Sequence, residues 1–233
     1  MKKICIVGKD MENSKKLKEH LLKLGFEYSE ENPSLVIAYG GDGTLLIAER
    51  QFPGVLKILV KDSNTSSKAC NLHIEDIIKK YLAHDYEIEI INKLKAIANL
   101  SSKTRELTGM NDIVIRNTLP TEAVRFESFI NNKLIGEFIG DGVVIATPYG
   151  STAYFHSITR KNICNGIGIA FNNITAEKPL LNLENKERIK FKILRGPAVL
   201  VADNNRDFIN LEKGDEVEIF QGDEFAKIIR FRQ

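Results

Sequence analysis

An aspartate surrounded by glycines is the feature of this sequence that most directly suggests chemistry. Asp42 stands in GGDGT, residues 40–44, after the apolar run LVIAY. Gly40, Gly41 and Gly43 permit positive φ angles and close backbone approach, so several N–H groups can point at one anion. A carboxylate there would repel a phosphate unless it takes a proton from an attacking hydroxyl, holds Mg²⁺, or does both. The ordinary alternative is an aspartate that caps a helix in a tight turn.

A second aspartate between glycines precedes a stretch rich in hydroxyl groups. Asp141 is followed by the apolar run VVIA and then by TPYGSTAYFHS, which ends at residue 157. Pro148 and Gly150 predict a turn in a loop whose hydroxyls and backbone donors can hold a polar ligand. The hydroxyl-bearing residues are Thr147, Ser151, Thr152, Tyr154 and Ser157. On its own, a loop rich in Ser and Thr is also common as a structural connection.

The elements around the first glycine turn are those of an α/β domain. Residues 1–92 alternate strand-like and helix-like runs, namely KICIVG, SKKLKEHLLKLGF, SLVIAYG, TLLIAERQF, GVLKILV and IEDIIKKYLAH. This rhythm predicts a mainly parallel sheet covered by helices, with Gly25 ending the first helix. Ligands bind at the carboxyl ends of such strands, where GGDGT lies, and Thr44 is expected to cap the helix that follows.

The rest of the chain has a different period. Residues 93–233 contain short strand-like segments bounded by turn signals, and INNKLIG predicts a hairpin between two of them. This pattern predicts a β-rich, sandwich-like domain whose last strands can return to the first domain. No linker separates the halves, so we expect a tight join near Ile91 to Lys93. A cleft at that join would be the usual place for a ligand.

Composition and charge argue against several classes of function. The formal net charge is only +2, which does not suit a general nucleic-acid binder. Cys5, Cys70 and Cys164 form no CxxC pair and the four histidines show no ligand spacing, so we predict reduced thiols and no zinc site. The apolar run near the amino terminus is too short for a signal peptide or a membrane span. We therefore predict a cytoplasmic protein without nucleic-acid or membrane partners.

Three stretches that occur in order, GGDGTLLIAER, MNDIVIR and GDGVVIATPYGSTAY, resemble the NAD kinase family. The first alone is shared with diacylglycerol and sphingosine kinases, whereas the third is much more specific to NAD kinases. The resemblance covers residues 35–157 and agrees with that family's α/β-then-β architecture. It implies transfer of a phosphoryl group from ATP, or polyphosphate, to the 2′-hydroxyl of the adenosine ribose of NAD, with Mg²⁺ or another divalent cation.

The resemblance also implies roles for individual residues. Asp42 would be the general base for the 2′-hydroxyl. Asn111 and Asp112 would hold ribose hydroxyls of NAD, which suits an amide donor beside a carboxylate acceptor. The residues expected against phosphates are Gly41, Gly43 and Thr44, and those expected to line the dinucleotide pocket are Asp141, Thr152, Ala153, Tyr154 and Ser157. No direct protein ligand to a metal is implied, and family likeness predicts a homodimer or homotetramer.

The chain departs from the family pattern at several places. Residues 61–68, KDSNTSSK, replace a Gly-Ile-Asn stretch and an aromatic element; this loop could bind phosphate or simply connect two elements. Tyr149 stands where Thr is usual, and the Gly-Gly-Pro and Pro-His elements expected after Ser157 are missing. The late Asp-Gly appears as VADNNRD, so Asp203 is a weak match. The sequence therefore indicates a shortened, divergent member, and leaves open the phosphoryl donor, the acceptance of NADH and feedback regulation.

Two other functions stay open from the sequence. The first is an NAD(P)-binding sensor that kept the pocket and lost turnover; the altered 61–68 loop motivates it and the intact Asp42 argues against it. The second is a lipid kinase of the diacylglycerol or sphingosine type, which would share GGDGT. The sequence TPYGSTAY and the lack of an amphipathic membrane-docking stretch argue against a lipid kinase.

Overall fold

The structure, a computed structural model, describes residues 2–8, 10–61, 74–176 and 180–232. The chain divides into two compact units, Met1–Ile91 with Phe225–Gln233, and Asn92–Glu224. The elements are β1 (Lys3–Gly8), α1 (Met11–Lys23), β2 (Glu27–Tyr28), β3 (Leu35–Tyr39), α2 (Asp42–Gln51), β4 (Leu56–Val60), α3 (Ile74–Leu82), β5 (Tyr86–Asn99), β6 (Thr104–Gly109), β7 (Asp112–Asn117), β8 (Val124–Ile130), β9 (Lys133–Gly140), β10 (Gly142–Ala146), α4 (Tyr154–Thr159), β11 (Ile167–Asn172), β12 (Leu180–Leu183), β13 (Ile189–Arg195), β14 (Ala198–Ala202), β15 (Ile209–Leu211) and β16 (Glu216–Phe231).

The first unit is built on a parallel sheet with the strand order β2–β1–β3–β4. The end of β16 continues this sheet beside β4, where Lys227 pairs with Leu56. One face of the sheet packs against α1 and α3 in a core that includes Ile4, Leu17, Leu21, Leu35, Ile37, Ile58, Ile77 and Ile78. Because side chains alternate along a strand, Val36 and Ala38 of β3 point to the opposite face. The α/β fold predicted for this part of the chain is confirmed.

A buried ion pair fixes α2 to the start of β4. Lys57 is fully buried, and its Nζ lies 2.5 Å from Oε2 of Glu49. The same ammonium donates to the carbonyl oxygens of Phe52 and Val55, both at 2.7 Å. Oε1 of Glu49 accepts from the N–H of Gly54 at 3.0 Å. Buried charges are tolerated only when they are paired and hydrogen-bonded, and here both conditions hold.

Two turns predicted from the sequence are present. Gly25 follows α1 with a φ of +85°, and Phe26 N–H donates to the carbonyl oxygen of Leu21 at 3.2 Å. This is the usual ending of a helix at a glycine. Asn131 and Asn132 join β8 to β9 with φ angles of +48° and +65°. Two consecutive left-handed residues are what a two-residue hairpin turn needs, and asparagine adopts that conformation readily.

The second unit contains two antiparallel groups of strands. One has the order β12–β11–β10–β7–β14–β15, and the other contains the ladders β5–β6 and β16–β13–β8–β9. Their inward-facing side chains form one core that includes Leu94, Phe126, Phe138, Ile145, Phe171, Phe191, Leu200 and Val217. The rings of Phe138 and Phe171 have centroids 4.2 Å apart. The predicted β-rich, sandwich-like fold is confirmed.

The helices are short, and one of them corrects a sequence prediction. The stretch after β10 was predicted as a loop, but it forms a 3₁₀ turn (Gly150–Thr152) followed by α4, where Phe155 is fully buried against Val144 and Ala170. Six residues are too few for helical periodicity to be visible in the sequence. Among the helices in the described ranges, none is long and apolar enough to cross a membrane.

Candidate active site

The first glycine turn lies between the end of β3 and the start of α2, at the carboxyl edge of the parallel sheet. Asp42 is the first residue of α2 and is partly exposed, and Gly41 is the N-cap with a φ of −102°. The N–H groups of Thr44 and Leu45 both donate to the carbonyl oxygen of Gly41, at 2.9 and 3.3 Å. The N–H groups at the start of a helix point outward along its axis, so this end of α2 attracts an anion.

The detailed conformation of this turn differs from the prediction. Of its three glycines only Gly40 has a positive φ, +155°, and its N–H donates to Val60 O at 2.8 Å. A Cβ on Gly40 would lie 2.3 Å from Oγ1 of Thr44, so the close approach requires glycine. Gly41 and Gly43, which the sequence permitted to adopt a positive φ, do not adopt one. The prediction of Thr44 as the helix cap is wrong, because α2 begins two residues earlier.

A pocket of about 510 Å³ in the first unit begins beside this turn. Its lining includes Cys5 and Gly8 of β1, Tyr28 and Glu30 at the end of β2, and Thr44 and Gln51 of α2. The hydroxyl of Tyr28 donates to Oε1 of Glu30 at 2.8 Å. Burial raises the pKa of the Cys5 thiol, so that the sulfur is neutral at pH 7. The pocket therefore combines neutral polar groups with one carboxylate.

In the second unit Asn111 lies in the turn between β6 and β7, Asp112 is the first residue of β7, and the segment after β10 holds this turn. Thr147 Oγ1 lies 2.7 Å from the carbonyl oxygen of Met110 and 3.2 Å from that of Asn111. Thr147 N–H donates to Asn111 O at 2.9 Å. A Cβ on Gly150 would lie 1.9 Å from Asn111 O, so only glycine fits there. The fold thus brings two of the three sequence motifs into direct contact.

Both members of this pair are buried, and one of their polar atoms lacks a partner. Asn111 is 8% exposed and Asp112 is 6% exposed. Within the described ranges of the chain, Oδ1 of Asn111 has no hydrogen-bond partner. An unsatisfied buried acceptor costs about 1–3 kcal/mol, so such atoms are rare unless a water or ligand supplies a donor. A hydroxyl group of a bound ligand would satisfy this oxygen.

Asp203, which matches the NAD kinase sequence pattern only weakly, contacts the same turn. Its Oδ2 accepts from Met110 N–H at 2.9 Å, and its Oδ1 accepts from the N–H groups of Asn111 and Asp112 at 2.7 and 3.2 Å. Its own N–H donates to Asp112 O at 2.9 Å. The available signal in the sequence was an aspartate directly after the apolar run AVLVA. Such a residue often bonds nearby backbone groups, but the sequence does not name which ones.

The residues predicted to line the dinucleotide pocket next to this turn lie at the start of α4. Thr152 and Ala153 are exposed. Tyr154 is half-buried, and its hydroxyl oxygen accepts from Nδ2 of Asn172 at 3.1 Å. Ser157 Oγ donates to the carbonyl oxygen of Tyr154 at 2.7 Å. Their chain position directly after the Gly150 turn agrees with a shared pocket, and their roles stay predictions.

Asp141 lies away from the other predicted NAD residues of this chain. It precedes β10, whereas Thr147 follows it, and six residues of extended chain span about 20 Å. The carbonyl oxygen of Asp141 accepts from Asn117 N–H at 2.9 Å, and its Oδ2 accepts from Asn173 Nδ2 at 3.2 Å. Asp141 is therefore at the end of β10 opposite the Asn111 turn. Its predicted role in NAD binding is not supported by proximity.

The predicted site residues fall into two groups. The first unit contains Gly41, Asp42, Gly43 and Thr44, and the second contains Asn111, Asp112, Asp141, Thr152, Ala153, Tyr154 and Ser157. The predicted cleft between the two domains stays a prediction. Residues 62–68 of the divergent loop, and Cys70, lie outside the described residues. In the described ranges, no group of three or more His, Cys, Asp or Glu residues could hold a metal ion.

Comparison with known protein families and sequences gives consistent results. Residues 110–231 match the model of the ATP-NAD kinase C-terminal domain. The NAD kinase of Sulfurisphaera tokodaii is 31% identical over 231 residues, which cover 95% of this chain and 90% of that protein. The bifunctional NADP phosphatase/NAD kinase of Methanocaldococcus jannaschii is 29% identical over 208 residues, or 84% of this chain. This chain spans only 36% of the length of that bifunctional relative.

Two solved structures share the fold. Yeast NADH kinase complexed with NADH superimposes with a TM-score of 0.87 at 16% identity, over 100% of this chain and 84% of that one. An NAD kinase from Archaeoglobus fulgidus in complex with ATP gives a TM-score of 0.82 at 18% identity, over 98% and 93%. The domain model covers more than half of this chain, and a relative above 30% identity spans nearly all of it. The chain therefore belongs to the NAD kinase family.

Proposed function

We propose that this protein is an NAD kinase, which transfers the γ-phosphoryl group of ATP to the 2′-hydroxyl of the adenosine ribose of NAD to give NADP. The observation that carries the proposal is the buried Asn111–Asp112 pair, in which Oδ1 of Asn111 lacks a partner. Membership of the NAD kinase family supports the choice of NAD as the acceptor.

The Asn111–Asp112 pair suits the vicinal hydroxyls of a ribose. Each hydroxyl is both a donor and an acceptor, so it can donate to an amide or carboxylate oxygen and accept from an amide N–H. The two residues are adjacent in the chain, at a turn that is held by Thr147 and Asp203. We further assign the remainder of the NAD pocket to Thr152, Ala153, Tyr154 and Ser157, and we keep Asp141 as a predicted contact.

In the reaction the 2′-oxygen of the ribose attacks the γ-phosphorus of ATP. The bond between that phosphorus and the β–γ bridging oxygen breaks, and ADP leaves with the electron pair. The proton of the 2′-hydroxyl passes to the carboxylate of Asp42. Gly41, Gly43 and Thr44 lie at the start of α2, where the positive end of the helix dipole would face the phosphates.

A divalent cation, predicted to be Mg²⁺, would enter with ATP. A magnesium ion is commonly held by substrate phosphates and one or two carboxylates, so a single carboxylate beside a phosphate turn suits it. Asp42 stands in the first turn of α2, and we propose its carboxylate as the protein group that would contact this ion. The ion would neutralise charge on the phosphate oxygens. We assign no other protein group to it.

The pocket of the first unit favours ATP over inorganic polyphosphate as the donor. Thr44, Tyr28 and Glu30 all line it, and about 510 Å³ is enough for a nucleoside. Among the described lining residues, Glu30 is the only one with a charged side chain. A carboxylate repels a polyphosphate chain, whereas ribose hydroxyls and an exocyclic amine can donate to it. We therefore place the nucleoside of the donor in this pocket.

The primary test is a coupled assay for NADP formation with purified protein, NAD, ATP and Mg²⁺, repeated with NADH as the acceptor and with polyphosphate as the donor. Formation of NADP from ATP and NAD would support the proposal. If no donor gives NADP, but calorimetry shows tight NAD binding, the protein is a sensor. If NAD neither binds nor reacts, a diacylglycerol or sphingosine acceptor should be assayed.

The donor assignment is tested with two adjacent glutamates. Glu30→Gln should raise the KM for ATP about 3–10-fold, because a charge-assisted hydrogen bond is worth about 1.5–3 kcal/mol when buried and less at an exposed site. The KM for polyphosphate should fall or stay unchanged. Glu31→Gln, which changes a neighbour outside the pocket, is the control. Equal changes in the KM values for ATP and polyphosphate would contradict the assignment of this pocket to the nucleoside. The assignment of the protein as a kinase would be unaffected.

A homodimer or homotetramer, a cytoplasmic location and the absence of nucleic-acid and membrane partners remain predictions of the sequence.

A further inference from the structure

Asp203 has a set of contacts that the proposed chemistry does not use. It directly follows β14 and has a left-handed backbone, with a φ of +51°. Its carboxylate accepts from the N–H groups of Met110, Asn111 and Asp112, and its own N–H donates to Asp112 O. It is thus bonded to one turn through both its side chain and its main chain, across more than ninety residues of sequence.

Three successive N–H groups that converge on one point form a concave site for an anion. In the Met110–Asp112 turn, the Asp203 carboxylate occupies that position. The opposite edges of the same peptide groups are also fixed, because the carbonyl oxygens of Met110 and Asn111 face the Thr147 hydroxyl. The main chain at Asn111 therefore has bonded partners on both sides.

This bonding determines the direction of the Asn111 and Asp112 side chains. A side chain leaves the backbone in a direction set by the planes of its two peptide groups, so a fixed backbone leaves only the side-chain torsions to vary. Asn111 is 8% exposed, which restricts those torsions further. The result is an amide oxygen that is buried and has no partner within the described part of the chain.

We propose that Asp203 is a positioning residue for the dinucleotide, which holds the Asn111–Asp112 turn in the orientation that accepts ribose hydroxyls. This inference rests on the proposed NAD site and adds a residue to it. Asp203 would not contact NAD itself and would act only by holding the turn. Its loss should therefore weaken the binding of NAD and leave the binding of ATP unchanged.

A second buried carboxylate in the same unit provides a matched control. Asp215 is 6% exposed and accepts from the N–H groups of Glu212, at 2.8 Å, and Ser101, at 3.2 Å. Like Asp203, it joins backbone segments that are far apart in the chain, but among the described residues its hydrogen bonds go to Ser101, Ile193 and Glu212 and not to residues 110–112. A purely structural role would make Asp203→Asn and Asp215→Asn behave alike.

The experiment compares the native protein, Asp203→Asn and Asp215→Asn in thermal unfolding, in NAD calorimetry and in the KM values for NAD and ATP. Asparagine replaces one carboxylate oxygen with an NH₂ group that cannot accept the turn's N–H groups. We expect Asp203→Asn to weaken NAD binding and raise the KM for NAD at least tenfold, with the KM for ATP within twofold. Asp215→Asn should lower the melting temperature and leave both KM values within twofold.

Several outcomes would overturn the inference. The first is an unchanged NAD affinity in Asp203→Asn. The second is an equal rise of the KM values for NAD and ATP in that variant. The third is a rise of the KM for NAD in Asp215→Asn as large as that in Asp203→Asn. If Asp203→Asn does not fold, Asp203→Glu keeps the charge but displaces it, and the same NAD-specific loss is expected at smaller size. Failure of the kinase proposal is seen separately, because the native protein would then form no NADP. NAD calorimetry would still compare the variants if the native protein binds NAD without turnover.

Discussion

In the first unit one unbroken segment, residues 35–51, forms the strand, the glycine turn and the helix that bears Asp42. In the second unit the Asn111–Asp112 turn is held by Thr147 and Asp203, which belong to two other segments. The first arrangement depends on local backbone conformation and on the attachment of α2 to the sheet. The second depends on hydrogen bonds between residues distant in sequence. Single substitutions should therefore affect the two regions in different ways.

The largest expected effect is on turnover at Asp42. Asp42→Asn keeps the side-chain shape but cannot take the proton, so kcat should fall about 10²–10⁴-fold, the usual contribution of a general base. NAD affinity, measured by calorimetry, should stay within threefold. Asp10→Asn is the control, because it makes the same change at the start of α1, where asparagine caps equally well. A loss of NAD affinity in Asp42→Asn as large as the loss of kcat would contradict the assignment of Asp42 as the general base.

The next effect is on stability, at the buried ion pair that attaches α2 to β4. Lys57→Met leaves Glu49 buried without its ion pair, and should lower the free energy of unfolding by about 3–5 kcal/mol. The double variant Lys57→Met with Glu49→Leu should recover most of that loss, because no buried charge is left. Chemical denaturation measures both. Lys16→Met, at an exposed pair with Glu12, should change stability by less than about 0.5 kcal/mol. If the double variant is as unstable as the single, the buried charge is not the cause.

The smallest expected effect concerns the second region. Gly150→Ala places a methyl group against the carbonyl of Asn111 and should destabilise the protein by about 1–3 kcal/mol. It should also weaken NAD binding at least tenfold, because the turn must shift. Gly25→Ala is the control: its φ is +85°, but no atom lies within 4 Å of the added methyl group. That variant should lose stability and keep its NAD affinity. Equal NAD affinities in the two variants would show that the turn tolerates the shift.

Features that depend on a few neighbouring residues could be predicted from the sequence. The α/β rhythm, the position of the glycine turn, the helix end at Gly25 and the Asn131–Asn132 hairpin are of this kind. The change from helical to strand-like periodicity near residue 93 also predicted the β-rich fold of the second unit. Each of these signals is a pattern of neighbouring residues, repeated along the chain in the case of the two periodicities.

Two kinds of feature could not be predicted from the sequence: contacts between residues that are distant in the chain, and the exact residue at which a helix begins. Nothing near Lys57 shows that its ammonium is buried beside Glu49, because a lysine in a strand is usually at the surface. Asp203 could be assigned only once its three N–H donors were located. The start of α2 at Asp42 rather than Thr44 reflects the usual uncertainty of helix ends.

The hydrogen bonds of Asp203 also bear on the order in which the chain acquires its shape. Contacts between residues far apart in sequence form late, because a long loop must close first. A polypeptide emerging from the ribosome can build the Gly40 turn once Val60 has followed it, since Gly40 N–H bonds Val60 O. The Asn111 turn must wait until Asp203 has been synthesised. We expect a nascent chain to complete its phosphate turn well before it can recognise a dinucleotide.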